Sequence, residues 1–205
     1  MRLLHERHVL HCDVHPGNIG VTPRVPLALL LSPSSPFDFN DLAHWQVVFI
    51  DHEWSHVRGW HYEDTFVRNR MWLYASDRQV WCSGKYSTPD DLEALAYILL
   101  AIYYSGRLPW RSDVEAESAK YPQDFGEDDS DLEFVFETRE RHLRTLRDSC
   151  HESDSASDVD SLLADLLDFV FYARALNSDE VWIDYSRWES LFHERFTRTS
   201  QSPAQ

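Results

Sequence analysis

The chain has 205 residues, of which 43% are hydrophobic and 14% aromatic, with only 6 glycines and a formal net charge of −16. The apolar content excludes a disordered chain, the scarcity of glycine excludes collagen-like and low-complexity classes, and the length suits one domain. The acidic balance repels phosphate backbones and anionic lipid, which argues against nucleic-acid and membrane-surface partners.

Leu3, Leu4 and Arg7 stand at helical spacing, so the chain opens on a helix end that leads into His8-Val9-Leu10. The first residues lack the apolar stretch of a signal peptide, and the longest apolar run, 95–104, is too short to span a bilayer. Residues 11–18 are polar and contain Pro16-Gly17, which predicts a loop, followed by a short strand at Ile19-Gly20-Val21. Residues 22–46 carry four prolines and read as an irregular loop insertion with Leu27 to Leu31 packed on the body. Val47-Val48-Phe49-Ile50 then predicts a buried strand ending at Asp51, and the two strands make a small hairpin.

From Pro89 the pattern sharpens. Asp90, Asp91 and Glu93 are acids in a first turn, where they favour the helix dipole. Residues 92–104 are apolar nearly all the way round, which predicts a helix inside the globule. Ser105-Gly106 ends it, and Pro109 opposes a restart. Residues 111–131 read as an acidic loop insertion, 132–147 as a charged helix, and 149–157 as a linker. Residues 111–160 hold 16 acids and 6 bases, most of the net charge, and read as a solvated region. Leu162, Leu163, Leu166, Leu167, Val170 and Ala173 form an apolar stripe of a further helix. A last helix from about Ser186 turns Trp188, Leu191, Phe192 and Phe196 inward, and 197–205 read as a disordered tail. Cys12, Cys82 and Cys150 make no disulfide framework and no CxxC pair, so a reducing, cytoplasmic or nuclear, location is expected.

The chemistry concentrates in residues 11–18. Asp13 and Asn18 lie five residues apart on one loop, and Asp51 ends a strand thirty-eight residues later. Two acids and an amide converging at strand ends can hold Mg²⁺, which takes oxygen ligands and keeps waters and substrate phosphates as the rest. The remaining carboxylate can orient or deprotonate a hydroxyl, the division of labour in phosphoryl transfer. His5, His8, His11, Cys12 and His15 also suggest zinc, but five such residues crowded into eleven positions cannot all converge on one ion.

Three stretches resemble the protein-kinase fold, specifically the C-terminal lobe of the casein kinase I branch. Leu10-His11-Cys12-Asp13-Val14-His15-Pro16-Gly17-Asn18-Ile19 is similar to the catalytic loop His-Arg-Asp-x-x-x-x-Asn. Phe49-Ile50-Asp51-His52-Glu53 is similar to the strand and metal-binding Asp that normally read Asp-Phe-Gly. Leu73-Tyr74-Ala75-Ser76, then Pro89-Asp90-Asp91-Leu92-Glu93-Ala94-Leu95, then Gly106-Arg107-Leu108-Pro109-Trp110 resemble the substrate-side segment, central helix and following turn. Ala173-Arg174-Ala175-Leu176 and 184–192 resemble the closing helices.

The resemblance implies a mainly α fold over 1–196: a kinase-like C-terminal lobe with a small β-hairpin carrying the catalytic and metal-site residues. It implies that Asp13 is the catalytic base, that Asn18 and Asp51 hold Mg²⁺ on the phosphates of ATP, and that His11 and Asp91 support the catalytic loop. The implied activity is phosphoryl transfer to Ser or Thr of a protein substrate. Cys12 stands where the family has the Arg that pairs with a phosphorylated activation loop, so that control is not expected. His15 stands where the family has a phosphate-contacting Lys, and is the candidate phosphate contact. His52-Glu53 replaces Phe-Gly. The family's Gly-rich loop, strand Lys and adenine hinge have no counterpart before Met1, so the chain alone is expected to be truncated as an enzyme and inactive. Mg-ATP is then expected to leave its melting midpoint unmoved, and a partner to cover the apolar face that a missing N-terminal lobe leaves. Two alternatives stay open: a pseudokinase or C-lobe binding module, and a small-molecule kinase of aminoglycoside phosphotransferase type, whose loop His15-Pro16-Gly17-Asn18 also resembles.

Overall fold

The computed structural model describes residues 1–25, 44–57, 72–80, 86–120, 129–152, 158–176 and 183–201. Expectations that fall on 26–43, including the packing of Leu27 to Leu31, on the acidic stretch 121–128, on 153–157 and on 202–205 lie outside the described residues, as does the side chain of Phe196.

The architecture is mainly helical. Helix α1 (Arg2–Glu6) leads into strand β1 (Val9–Leu10), and a one-turn 3₁₀ helix (Pro16–Asn18) leads into β2 (Ile19–Pro23). Strands β3 (Trp45–Phe49) and β4 (His56–Val57) follow. Then come α2 (Asp77–Val80), α3 (Thr88–Tyr103), α4 (Arg111–Ser118), α5 (Asp129–Glu152), α6 (Asp158–Ala175) and α7 (Tyr185–Gln201). No described helix is long and apolar enough to cross a membrane.

Helix α3 is the centre of the molecule. Ser87 and Asp90 form a capping box: Asp90 Oδ2 accepts the Ser87 backbone N–H at 2.7 Å and the Ser87 hydroxyl at 2.6 Å. Pro89 sits in the first turn, where its missing N–H costs nothing. Leu92, Ala94, Ala96, Tyr97, Ile98, Leu100 and Ala101 are buried, against Leu166, Leu167, Val170 and Ala173 of α6 and Val135 and Leu143 of α5. Each buried leucine contributes about 2 kcal/mol of apolar transfer free energy. Phe169, Trp188 and Phe192 cluster where α6 meets α7, with Phe169 and Trp188 ring centres 4.8 Å apart.

Asp90 and Asp91 lie in the first turn of α3 as expected, and Glu93 follows them. All three are buried. The first turn of α3 is buried with the rest of its inner face, while Ile102 in the last turn is 64% exposed, and each of these carboxylates then needs donors from other segments.

Two antiparallel pairings complete the fold. β1 pairs with β4, Val9 opposite Val57, and β2 pairs with β3, Ile19 opposite Phe49 and Val21 opposite Val47. The β2–β3 ribbon differs from the expected buried strand. Ile19 and Phe49 pack against the core, but Val47 is 65% exposed and Ile50 46%. An unbroken apolar run reads as buried on both faces, whereas this ribbon has two strands and only its Ile19–Phe49 end rests on the body.

The acidic segment from 111 is not all loop. Arg111–Ser118 is a helix: Pro109 precedes its start instead of blocking it, Val114 is buried, and Arg111 reaches Glu115 one turn on at 2.6 Å. Helix α5 extends to Glu152, four residues into the expected linker, and α7 continues to Gln201 through much of the expected tail.

Candidate active site: the loop between β1 and β2

The loop 11–18 begins where β1 ends and is anchored on α3. Asp91, fully buried, accepts the backbone N–H of His11 at 2.7 Å and that of Cys12 at 3.0 Å. The same carboxylate accepts the Tyr86 hydroxyl at 2.7 Å and faces His5 Nε2 at 2.9 Å. The other ring nitrogen of His5 meets the Tyr185 hydroxyl. A carboxylate has about four lone-pair directions, and Asp91 uses all of them on donors from α1, the loop and the segment before α3. Burial and the Asp91 charge push the Tyr86 and Tyr185 hydroxyls up, so both remain donors.

His11 is buried, and its Nε2 meets the carbonyl of Ile50 at 3.2 Å, which fixes the Nε2–H form. Burial lowers its pKa, with the Asp91 charge opposing, so the ring is held neutral. It lies edge-on to Phe49 and 4.9 Å from the His52 ring. Cys12 follows in a left-handed conformation, φ 65°, with its thiol buried. Burial first, and Asp91 second, push that thiol far up, which removes it as a nucleophile.

Asp13 and Asn18 are in direct contact. Asn18 Nδ2 donates to the Asp13 carboxylate Oδ2 at 2.8 Å and to the Asp13 carbonyl at 3.0 Å. Both amide N–H groups are thereby used, and the amide oxygen of Asn18 faces away from Asp13. His15 Nε2 lies 3.5 Å from Asp13 Oδ2, and its Nδ1 accepts the Gly17 backbone N–H at 3.1 Å.

Asp51 joins this end of the ribbon through the backbone. The Ile50 N–H donates to the Asn18 carbonyl at 2.9 Å, one step beyond the Ile19–Phe49 pair. Asp51 follows at once with φ 61°, a left-handed conformation that costs about a kcal/mol or more in a non-glycine residue. That turn takes the chain off the strand, and the Asp51 side chain is exposed. Non-glycine residues in that region at both Cys12 and Asp51 mark the two chain segments that flank Asp13 and Asn18.

Among the described residues no three His, Cys, Asp or Glu side chains gather as a metal site. His5 has both ring nitrogens hydrogen-bonded elsewhere and His15 Nδ1 takes the Gly17 N–H, which divides the histidines that suggested zinc. The donors near the loop that suit a cation are oxygens: the Asn18 amide oxygen and the Asp51 and Asp13 carboxylates. Oxygen donors of this kind suit a hard ion that keeps waters, and not zinc; the link of Asp51 to Asn18 runs through the backbone of Ile50.

A second polar cluster, which the sequence pattern does not announce, lies under the segment before α2. Arg139 of α5 is fully buried and donates to the carbonyls of Ala75 at 2.7 Å and Trp72 at 2.8 Å, and to Asp77 at 3.0 Å. Arg174 of α6 pairs with Asp77 and Glu140 and lies 3.7 Å from Glu93. Glu93 Oε1 accepts the Tyr97 hydroxyl at 2.6 Å and the Asp77 N–H at 3.0 Å. The usable signal was Glu93 itself, an acid at the start of a nearly all-apolar helical stretch, which needs a polar partner from elsewhere in the chain.

A scan against protein-family models finds no match for this chain, and a search of curated proteins finds none either.

Proposed function

We propose that the loop 11–18 and the end of β3 form the phosphoryl-transfer centre of a protein-kinase-like domain of the casein kinase I type. In this reading Asp13 takes the proton of an acceptor hydroxyl on Ser or Thr of a protein. Asn18 and Asp51 hold Mg²⁺, and His11 and Asp91 keep the loop in place. Mg-ATP, when bound, supplies the transferred group and neutralises its charge. The single observation behind the proposal is the anchoring of the loop by Asp91 while Asn18 holds Asp13. A base that must receive a proton at a fixed point needs a backbone that does not yield, and two amides tied to a buried carboxylate provide one.

A second reading, a binding module, draws support from the ribbon, where Val21 and Val47 face each other and are both about two-thirds exposed. Sub-stoichiometric Mn²⁺ separates the two. Paramagnetic broadening of NMR signals is expected at Asp13, Asn18 and Asp51, and is expected to vanish in Asp51→Ala. Broadening confined to the acidic faces of α4 and α5, or unchanged in Asp51→Ala, rejects the metal centre and leaves the binding module.

A further inference from the structure

We propose that His15 is a positioning residue for Asp13, not a phosphate contact: its ring is locked by the Gly17 amide so that Nε2–H fixes which carboxylate oxygen Asp13 presents. The role assigned to Asp13 rests on the phosphoryl-transfer reading; the geometry of the lock does not.

Four observations carry it. His15 caps the 3₁₀ turn Pro16–Asn18, with Nδ1 accepting the Gly17 N–H at 3.1 Å. A nitrogen that accepts carries no proton, so the neutral ring bears its proton on Nε2. That Nε2 lies 3.5 Å from Asp13 Oδ2, the same oxygen that takes Asn18 Nδ2 at 2.8 Å. Finally, a Cβ on Gly17 would come within 2.8 Å of His15 Cε1 and 3.1 Å of Nδ1, so the glycine is what lets the ring lie across the turn.

The Asn18 N–H donates to Oδ2, and His15 Nε2 faces the same oxygen at 3.5 Å, longer than a formed hydrogen bond. Oδ1 is left as the oxygen of Asp13 that an acceptor hydroxyl can meet. The arrangement also explains the pairing of His15 with Gly17 in one short loop: the ring needs the space that the absent side chain leaves. Nδ1 is committed to the Gly17 amide and Nε2 faces Asp13, which places the ring toward the carboxylate.

The test compares three variants of the full chain by NMR. In the wild type, ¹⁵N-imidazole signals at neutral pH are expected to show a bare Nδ1 and a protonated Nε2 for His15. Gly17→Ala is expected to displace the ring and return it to the tautomer mixture of a free imidazole. His15→Asn keeps an acceptor for the Gly17 N–H through an Asx turn but cannot reach Asp13, whereas His15→Ala loses both. Exchange of the Asn18 side-chain amide protons, which report how firmly Asp13 is held, is expected to quicken roughly tenfold in both His15 variants. The Gly17 amide is expected to lose protection in His15→Ala alone. If His15→Asn leaves the Asn18 amide protons as slow as in the wild type, the ring is only a cap and the proposal is wrong. A wild-type ring protonated on Nδ1 overturns it as well. Failure of the Mn²⁺ experiment removes the phosphoryl-transfer reading without touching either result.

Discussion

Asp91 accepts more donors than any other side chain near the loop, and its removal should be felt beyond its own position. Asp91→Ala leaves two buried backbone amides, those of His11 and Cys12, without partners. At about 1–3 kcal/mol for each stranded donor, a loss of about 3 kcal/mol or more is expected. Urea unfolding measures it, and Asp91→Asn, which keeps one carbonyl oxygen, should fall between. Asp13 and Asn18 are legible in the sequence because one short loop fixes their spacing, whereas the support that Asp91 gives the loop was expected only from the resemblance to the kinase family. The other partners of Asp91 are not legible. His5 stands 86 positions away from it and Tyr185 stands 180 from His5, and no local pattern encodes a hydrogen bond that tertiary packing creates.

At the scale of elements, periodicity located the long helices and misjudged their margins. The end of α3 shows why. Ser105 has φ 57° and Gly106 φ 89°; the Gly106 N–H reaches the Ala101 carbonyl at 2.7 Å and the Ser105 N–H the Ile102 carbonyl at 3.0 Å. This is a Schellman motif in which serine occupies the left-handed position that glycine favours. Ser105→Gly is therefore expected to stabilise the protein by about 0.5–1 kcal/mol, read as a rise in the melting midpoint. The ribbon was legible as two strands, but its burial was not. Apolar composition states what a strand prefers to touch, and whether a second layer is there to be touched is decided by the rest of the chain. Helix α4 was hidden for the opposite reason: its acids read as solvated loop, while Val114 and the Arg111–Glu115 pair hold one turn after another.

Across the whole molecule, the Arg139–Asp77–Glu93–Arg174–Glu140 cluster joins α2, α3, α5 and α6 through charge instead of oil. Burial pushes Glu93 up to about 8, with the Asp77 charge adding and Arg139 opposing. The folded chain therefore keeps a proton that the unfolded chain sheds near the ordinary carboxylate range. The stability from this group is whole below that range and is lost as pH rises toward 8. Between pH 5 and pH 8 the Glu93→Gln variant is expected to lose less stability toward urea than the wild type does. Equal pH slopes for the wild type and Glu93→Gln contradict the assignment. Such a cluster also limits how the sequence can drift over generations. Replacing one member strands its counter-ion in a dry interior, which is far costlier than exchanging several at once for apolar groups of like volume. Descendant lineages should inherit positions 77, 93, 139, 140 and 174 as a block, altered together or left alone.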